Sequence, residues 1–381
     1  LLKLLPMVIT ISFAMDVFVP AMPAMGQYFH SNDSVLQASL YLFMLTVAFG
    51  QLCSGPLADR FGRSRIAQLT GVCFLVGSLL SSVANSMTML IIGRVIQAIG
   101  ACGTYLLCFI IVKDNFSTQE CGRLFSLLSG FNSITASLAP VLGGVLLDAT
   151  HSWRSGFYFL TVLGMFICIA IFRNIPQYQY KKASHTGSIA ENYIKILTDH
   201  NFRRYAFIAS VCLIGLYLFC AISSLILMEH FHASGTRYGM WFGLNAFTVF
   251  ASTFLAARFT AYLRLDTLII RGLWLICLAS FSMLVLNMYV DSIFAFMLPM
   301  LCITIGIGQA MGTSTALALN NFGEQAGQAT AVLSALQFLL AGVLGAAITL
   351  FPISTFSLSL PVFVLAVVAL LQLKRIRAKT N

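Results

Sequence analysis

The chain has 381 residues, 59% hydrophobic and only 9% charged, with a mean hydropathy of +0.90. A soluble domain averages about 25% charged residues, so a soluble fold of this size is excluded. The net charge of +10 falls between long apolar runs. It reads as the loop bias of a membrane protein and not as a nucleic-acid footprint.

The runs lack the period-2 alternation of a membrane β-barrel, so the spans are helical. The ten cysteines lie mostly inside apolar runs and form no C-x-x-C pair. They read as small core- or lipid-facing residues and not as a disulfide framework. A span needs about 20 apolar residues. On that measure twelve are expected, at roughly 4–28, 35–58, 65–85, 88–112, 124–147, 155–173, 204–228, 237–259, 266–288, 292–318, 326–350 and 355–373. The first run is too long for a cleaved signal peptide and is read as a span.

The first span carries Asp16 near its middle. An aspartate there costs ~2.5–3.5 kcal/mol on insertion scales, so it faces the bundle interior or a water-filled cavity. It is either a carboxylate that exchanges protons and substrate or a hydrogen-bonded structural aspartate. Pro20 and Pro23 follow and break the regular backbone.

Between the second and third spans lies a tight basic loop, Gly55-Pro56-Leu57-Ala58-Asp59-Arg60-Phe61-Gly62-Arg63-Ser64-Arg65. Its charges mark a membrane edge. Its two glycines suit a short turn with positive φ. A loop that only sets topology accounts for the arginines, but not for Asp59 or the glycine spacing.

The fourth span contains Arg94, which cannot readily lose its charge. It is a partner for Asp16 or another acceptor, an anion-binding group, or a side chain snorkelling to the nearby interface. Gln97, Ala101 and Tyr105 continue its helical face. The fifth span carries Ala139-Pro140-Val141-Leu142-Gly143-Gly144, small residues that allow helices to approach closely.

The longest polar stretch, 174–203, separates residues 1–173 from 204–381, six expected spans on each side. Ser188-Ile189-Ala190-Glu191 fits a capping box. Ile189, Tyr193, Ile196 and Leu197 share one face of the short amphipathic helix expected there. In the second half, Gly239/Gly243 and Gly308/Gly312 have small-x-x-x-small spacing. Tyr217, Asn245, Gln309, Thr313, Thr315, Asn320 and Gln337 are candidates to line a cavity or to bond across helices. His230 and His232 read as solvated loop residues and not as a metal site. No Walker A sequence occurs, so ATP hydrolysis has no support.

Of the 22 Lys and Arg residues, Arg94 lies inside a span, and only Arg154 and Arg237 fall on the side opposite Gly55–Arg65. All the others fall on the side of that loop or in the termini. The bias places the loop and both termini in the cytoplasm.

Gly55-x-x-x-Asp59-Arg60-x-Gly62-Arg63-x-Arg65 closely resembles motif A of the major facilitator superfamily. Arg94-x-x-Gln97-x-x-Gly100-Ala101 resembles its motif B, and Ala139–Gly144 resembles motif C, the antiporter motif. The run Asp16-Val17-Phe18-Val19-Pro20-Ala21-Met22-Pro23-Ala24-Met25, with Trp153-Arg154-x-x-Phe157, is similar to the Bcr/CflA subfamily of twelve-helix drug:proton antiporters.

The resemblance implies an all-α membrane fold of two six-helix bundles with cytoplasmic termini. It implies a gate in which Asp59 locks near the start of the eleventh helix while Arg60 and Arg63 hold the loop shut. Asp16 would be the site where proton and substrate compete, and Arg94 would tune its protonation. Pro140, Gly143 and Gly144 would shape the fifth helix. Gln97, Ala101, Tyr105 and Tyr217 would line the cavity. Only one acidic residue lies in the first helix, where some relatives carry two, so a proton-to-substrate ratio above one is not expected. The second-half loop around Arg258–Arg271 keeps basic charge but not the Asp-Arg-x-Gly core.

The expected function is proton-coupled efflux of drugs or small amphipathic molecules across a bacterial inner membrane by alternating access. The alternatives are a dedicated exporter of a native metabolite such as a siderophore, and a proton-coupled uptake symporter. No enzymatic activity, cofactor, metal or nucleic-acid partner is expected. Protons serve as the coupling ion, membrane lipid and a small-molecule substrate are the partners, and the chain is read as a monomer.

Overall fold

The computed structural model describes residues 4–116, 118–175, 189–260, 262–322, 325–352 and 354–380, and these contain helices and no strand. Among them, eleven helices are long and apolar enough to cross a membrane. The first expected span is not one continuous helix. It is assembled from α1 (Leu5–Val8), α2 (Thr10–Asp16), a 3-10 turn (Val19–Ala21) and α3 (Met22–Phe29). Pro20 and Pro23 supply no backbone donor, and each sits in the first turn of its segment, where the missing N–H costs least.

The remaining helices are α4 (Asp33–Phe61), α5 (Arg63–Ser82), α6 (Met87–Asn115), α7 (Thr118–Thr150), α8 (Ser155–Asn174), α9 (Ile189–Thr198), α10 (His200–Ser224), α11 (Gly235–Phe259), α12 (Leu265–Tyr289), α13 (Ile293–Leu319), α14 (Ala326–Ile348) and α15 (Thr355–Thr380). A π-helical stretch, Leu225–His230, prolongs α10. Side-chain caps start several of them. Ser86 accepts from the Met89 N–H at 3.2 Å, Asp199 from Phe202 at 2.7 Å and Ser292 from Ala295 at 3.1 Å. Each satisfies a donor that the first turn of a helix leaves unpaired.

The chain divides into two compact units. The first comprises Leu1–Ile189 with Ser234–Met240, and the second comprises Ala190–Ala233 with Trp241–Asn381. Within the first, α5 packs most extensively on α6, α4 lies along α6, and α8 lies along α5. Within the second, α12 packs on α13, α10 along α13, and α15 along α12. The third and fourth spans of each half thus form its tightest pair. The third also packs on the sixth in each, as an internal repeat would produce.

Glycines make these pairs possible. A Cβ at Gly100 would strike the Phe74 backbone, and one at Gly93 would lie 2.6 Å from Ser81 Oγ. In the second unit, a Cβ at Gly272 would lie 2.6 Å from the Gly306 carbonyl oxygen. Without a hydrophobic drive between helices in lipid, such backbone approach supplies the packing. Gly308 behaves as expected, lying against Ser252, whereas a Cβ at Gly312 would have no atom of the described residues within 4 Å. The helix expected in the linker is present as α9, with Ile196 buried but Leu197 exposed. Ser188 of the capping box lies outside the described residues.

Candidate functional site

Asp16 is the last residue of α2 and is 9% exposed. Beyond it the regular hydrogen-bond ladder stops, and neighbouring helices close around the break. A Cβ at Gly143 of α7 would run into the Val17 carbonyl oxygen, and a Cβ at Gly156 of α8 would lie 3.4 Å from it. Two glycines on two helices therefore admit the backbone next to Asp16. On the other side of the segment, Ser12 donates to Asn132 Oδ1 of α7 at 2.8 Å, and Thr10 Oγ1 donates to the Ala101 carbonyl of α6 at 3.1 Å.

Arg94 is completely buried, so it does not snorkel. Its guanidinium lies between the rings of Phe18 and Phe43, 4.1 and 4.3 Å from their centroids. One nitrogen donates to the Ala14 carbonyl and to Gln97 Oε1, both at 2.5 Å. Gln97 Nε2 in turn donates to Ser78 Oγ at 2.7 Å, and Ser78 donates to the Phe74 carbonyl. The Ala14 carbonyl sits in the last turn of α2, where intrahelical donors run out. Arg94 thus stitches the broken first helix to α6 and, through Gln97, to α5.

The remaining cavity candidates are placed differently. Gln97 and Ala101 are fully buried where α2, α5 and α6 pack. Tyr105 stacks obliquely on Phe109, with centroids 5.1 Å apart, and Phe109 on Phe125. Tyr217 belongs to the second unit, where its ring lies 5.5 Å from that of Phe338. In the same unit Thr304 donates to Asn245 Oδ1 at 2.6 Å, so Asn245 bonds across helices.

The basic segment differs from the loop expected for it. Gly55 through Phe61 are helical, and the whole connection is Gly62, with φ of +95°. Its N–H closes α4 on the Ala58 carbonyl at 3.0 Å, and its carbonyl accepts from Ile66 to open α5. Only glycine enters that conformation without penalty. Gly55 is not a turn residue, and a Cβ there would meet nothing.

Arg63 is the hub of this region. It bonds Asp59 at 3.2 Å, forms an ion pair with Asp114 at the C-terminal end of α6, and donates to the Ile110 carbonyl at 3.3 Å. Arg60 is exposed and lies over the ring of its neighbour Phe61, and Arg65 is also exposed. Asp114 was not among the residues expected from the sequence, because next to Lys113 it reads as an ordinary loop charge. Phe18, Phe43 and Ser78 were also missed. The signal that points to the two phenylalanines is Arg94 itself, since a buried guanidinium requires anions, carbonyls or π-faces.

On the opposite face, Arg154 lies over the rings of Tyr28 and Trp153 and donates to the Ala84 carbonyl at 2.9 Å. His230 meets Asp291 at 2.8 Å, and both remain exposed.

A bundle of spanning helices with a buried carboxylate and a buried cation at a broken helix defines a membrane transporter. The chain belongs to the Major Facilitator Superfamily, whose family model matches residues 4–346. It is similar to the multidrug resistance protein MdtL of Klebsiella pneumoniae, at 26% identity over 328 residues, covering 84% of this chain and 81% of the relative. It is also similar to a bicyclomycin resistance protein homolog of Haemophilus influenzae, at 24% identity over 279 residues and 70% of each chain. Among solved structures, the inward-open xylose transporter XylE of E. coli superposes with a TM-score of 0.76 at 14% identity. That match spans 97% of this chain and 94% of the other, and it shows likeness of fold alone.

Proposed function

We propose that this transporter exports small amphipathic molecules, drugs among them, across the bacterial inner membrane in exchange for protons. The observation that carries the reading is Asp16: a buried carboxylate at the end of α2, where the first helix loses its regular backbone. An ionisable group in a membrane segment is there for a pathway or a relay. The names of the two curated relatives support a drug-like cargo.

In the cycle, ionised Asp16 accepts cargo from the cytoplasm or inner leaflet. A proton arriving from outside neutralises Asp16, weakens cargo binding and permits return. Arg94, engaged by Phe18, Phe43, Gln97 and the Ala14 carbonyl, fixes the segment that carries Asp16 and sets the field around it. The Asp59–Arg63–Asp114 cluster governs the inner gate, with Arg60 and Arg65 at its exposed margin. Pro140, Gly143 and Gly144 shape α7, Gly143 where it meets the break and Gly144 where it meets α11.

The test is proton-driven transport of a lipophilic cation in everted vesicles. Asp16→Asn is expected to remove at least about 90% of the coupled flux, since the coupling step needs a group that cycles its charge. Wild-type flux from Asp16→Asn at every pH would remove Asp16 from the mechanism.

A further inference from the structure

Asp148 belongs to none of the networks above, yet both of its carboxylate oxygens bond backbone N–H groups. It lies on α7, one turn beyond Gly144. Its Oδ1 accepts from the backbone N–H of Gly235 at 3.0 Å, and its Oδ2 accepts from that of Thr236 at 2.7 Å. These are the first two N–H groups of α11. The next two are satisfied locally, Arg237 by the Ser234 hydroxyl at 3.3 Å and Tyr238 by the Ser234 carbonyl at 2.9 Å. The four donors that open a helix are therefore divided. The Ser234 hydroxyl caps one, its carbonyl takes another as the first regular helical bond, and the other two are left for a side chain 87 and 88 residues earlier in the chain.

The backbone around this contact is built to allow it. A Cβ at Gly144 would strike the Gly235 carbonyl. A Cβ at Gly235 would lie 2.8 Å from Asp148 Oδ1 and 2.9 Å from the Gly144 carbonyl. One turn further on, a Cβ at Gly239 would lie 2.8 Å from the Val141 Cα. Glycines on both helices bring the backbones together, and a carboxylate meets the positive end of the α11 dipole through both oxygens. Residues Ser234–Met240 pack with the first unit, while the same helix from Trp241 onward belongs to the second.

We infer that Asp148 is a positioning residue of the transport cycle, a latch that holds the first turn of α11 on α7 and must release whenever those helices part. The inference rests on the alternating-access reading, but not on the identity of the cargo or the role of Asp16. The carboxylate must be charged and reach both N–H groups at once, so neither a neutral side chain nor a first turn lacking one donor holds the contact.

The test uses the full chain in intact cells, with its native cysteines replaced by alanine and Val141→Cys as the reporter on the covered face of α7. The readout is the labelling rate by a membrane-impermeant maleimide added outside. Asp148→Ala is expected to raise that rate at least about tenfold, the equivalent of ~1.4 kcal/mol. Thr236→Pro removes the backbone donor, together with the hydroxyl that also bonds Asp148, at a position where a helix tolerates proline. It is expected to raise the rate in the same direction, and the double variant by no more than the larger single effect. Asp148→Glu is expected to restore part of the closure, which a purely packing role would not do. Unchanged labelling in both Asp148→Ala and Thr236→Pro would overturn the latch. So would additive effects of the two. Labelling is read without substrate or proton gradient, so its result stands apart from that of Asp16→Asn.

Discussion

Arg94 is a cation with no exposed surface, and its stability comes from what surrounds it. Two ring faces lie at van der Waals distance, and one nitrogen bonds a carbonyl and an amide oxygen. A desolvated cation–π contact is worth about 2 kcal/mol, and a hydrogen bond from a charged donor about 1.5–3 kcal/mol. Arg94→Ala is therefore expected to destabilise the purified protein by about 3–5 kcal/mol, because truncation also opens a cavity between Phe18 and Phe43. Arg94→Lys keeps the charge but loses the planar group that fills the space between two rings. It should recover less than half of the loss. Thermal unfolding in detergent, followed by circular dichroism, reads both. Equal stability of the lysine variant and the wild type would mean that only charge matters at this position. Asp16 and Arg94 were legible in the sequence because an ionised side chain in an apolar run demands explanation. Phe18 and Phe43 were not, since a phenylalanine in a span already has an ordinary reading. The burial of Arg94 sets aside the snorkelling reading alone.

At the scale of the helix, the glycines divide into three kinds that the sequence does not distinguish. Gly100 lies where α5 and α6 touch, and an added Cβ would meet the Phe74 backbone, which cannot turn aside. Overpacking of that sort costs about 1–3 kcal/mol. Gly62 is needed for its φ of +95°, although space is open around it. A left-handed conformation costs an L-residue roughly 1–2 kcal/mol. Gly55 has neither constraint, being helical with no atom of the described residues within 4 Å of its Cβ position. Alanine there should be neutral or stabilising by about 0.5–1 kcal/mol. The expected order of thermal midpoints is thus Gly55→Ala at or above wild type, with Gly62→Ala and Gly100→Ala both below it. A fall for Gly55→Ala as large as for Gly100→Ala would show that its motif position, and not its local space, sets its stability.

The helices themselves were largely legible, because runs of apolar residues set their number and approximate place. Their ends were not. α4 continues through Gly55 and Pro56 to Phe61, three residues past the expected limit, because Gly62 alone makes the turn. The break after Asp16 could be anticipated from Pro20 and Pro23, but its division into four pieces depends on tertiary contacts. Gly143, Gly156 and Arg94 all reach that segment from elements far along the chain. The same holds for Arg63, whose partner Asp114 comes from the end of α6 and leaves no local pattern.

For the whole molecule, the energetics of the cycle follow from charge balance. Of the twelve acidic residues, Asp16 alone stands in the middle of a span, and the rest fall toward span ends or in connections. Under the proposed exchange, a single cycling carboxylate would bring in one proton for each cargo molecule that leaves. A neutral cargo then moves one net charge inward per cycle, whereas a monovalent cation moves none. One charge crossing ~100 mV is worth ~2.3 kcal/mol, which at ~1.4 kcal/mol per decade supports a gradient of about 40-fold. Collapsing the membrane potential with valinomycin and balanced potassium, at a fixed pH difference, should reduce the steady-state gradient of a neutral cargo by about that factor. The gradient of a lipophilic monovalent cation should stay within about twofold, since no net charge then crosses the field. The comparison is made in one preparation of vesicles, so leak and protein amount are shared. A cation gradient that falls when the potential is collapsed would require a second proton per cycle for that cargo, and therefore a second titratable group besides Asp16.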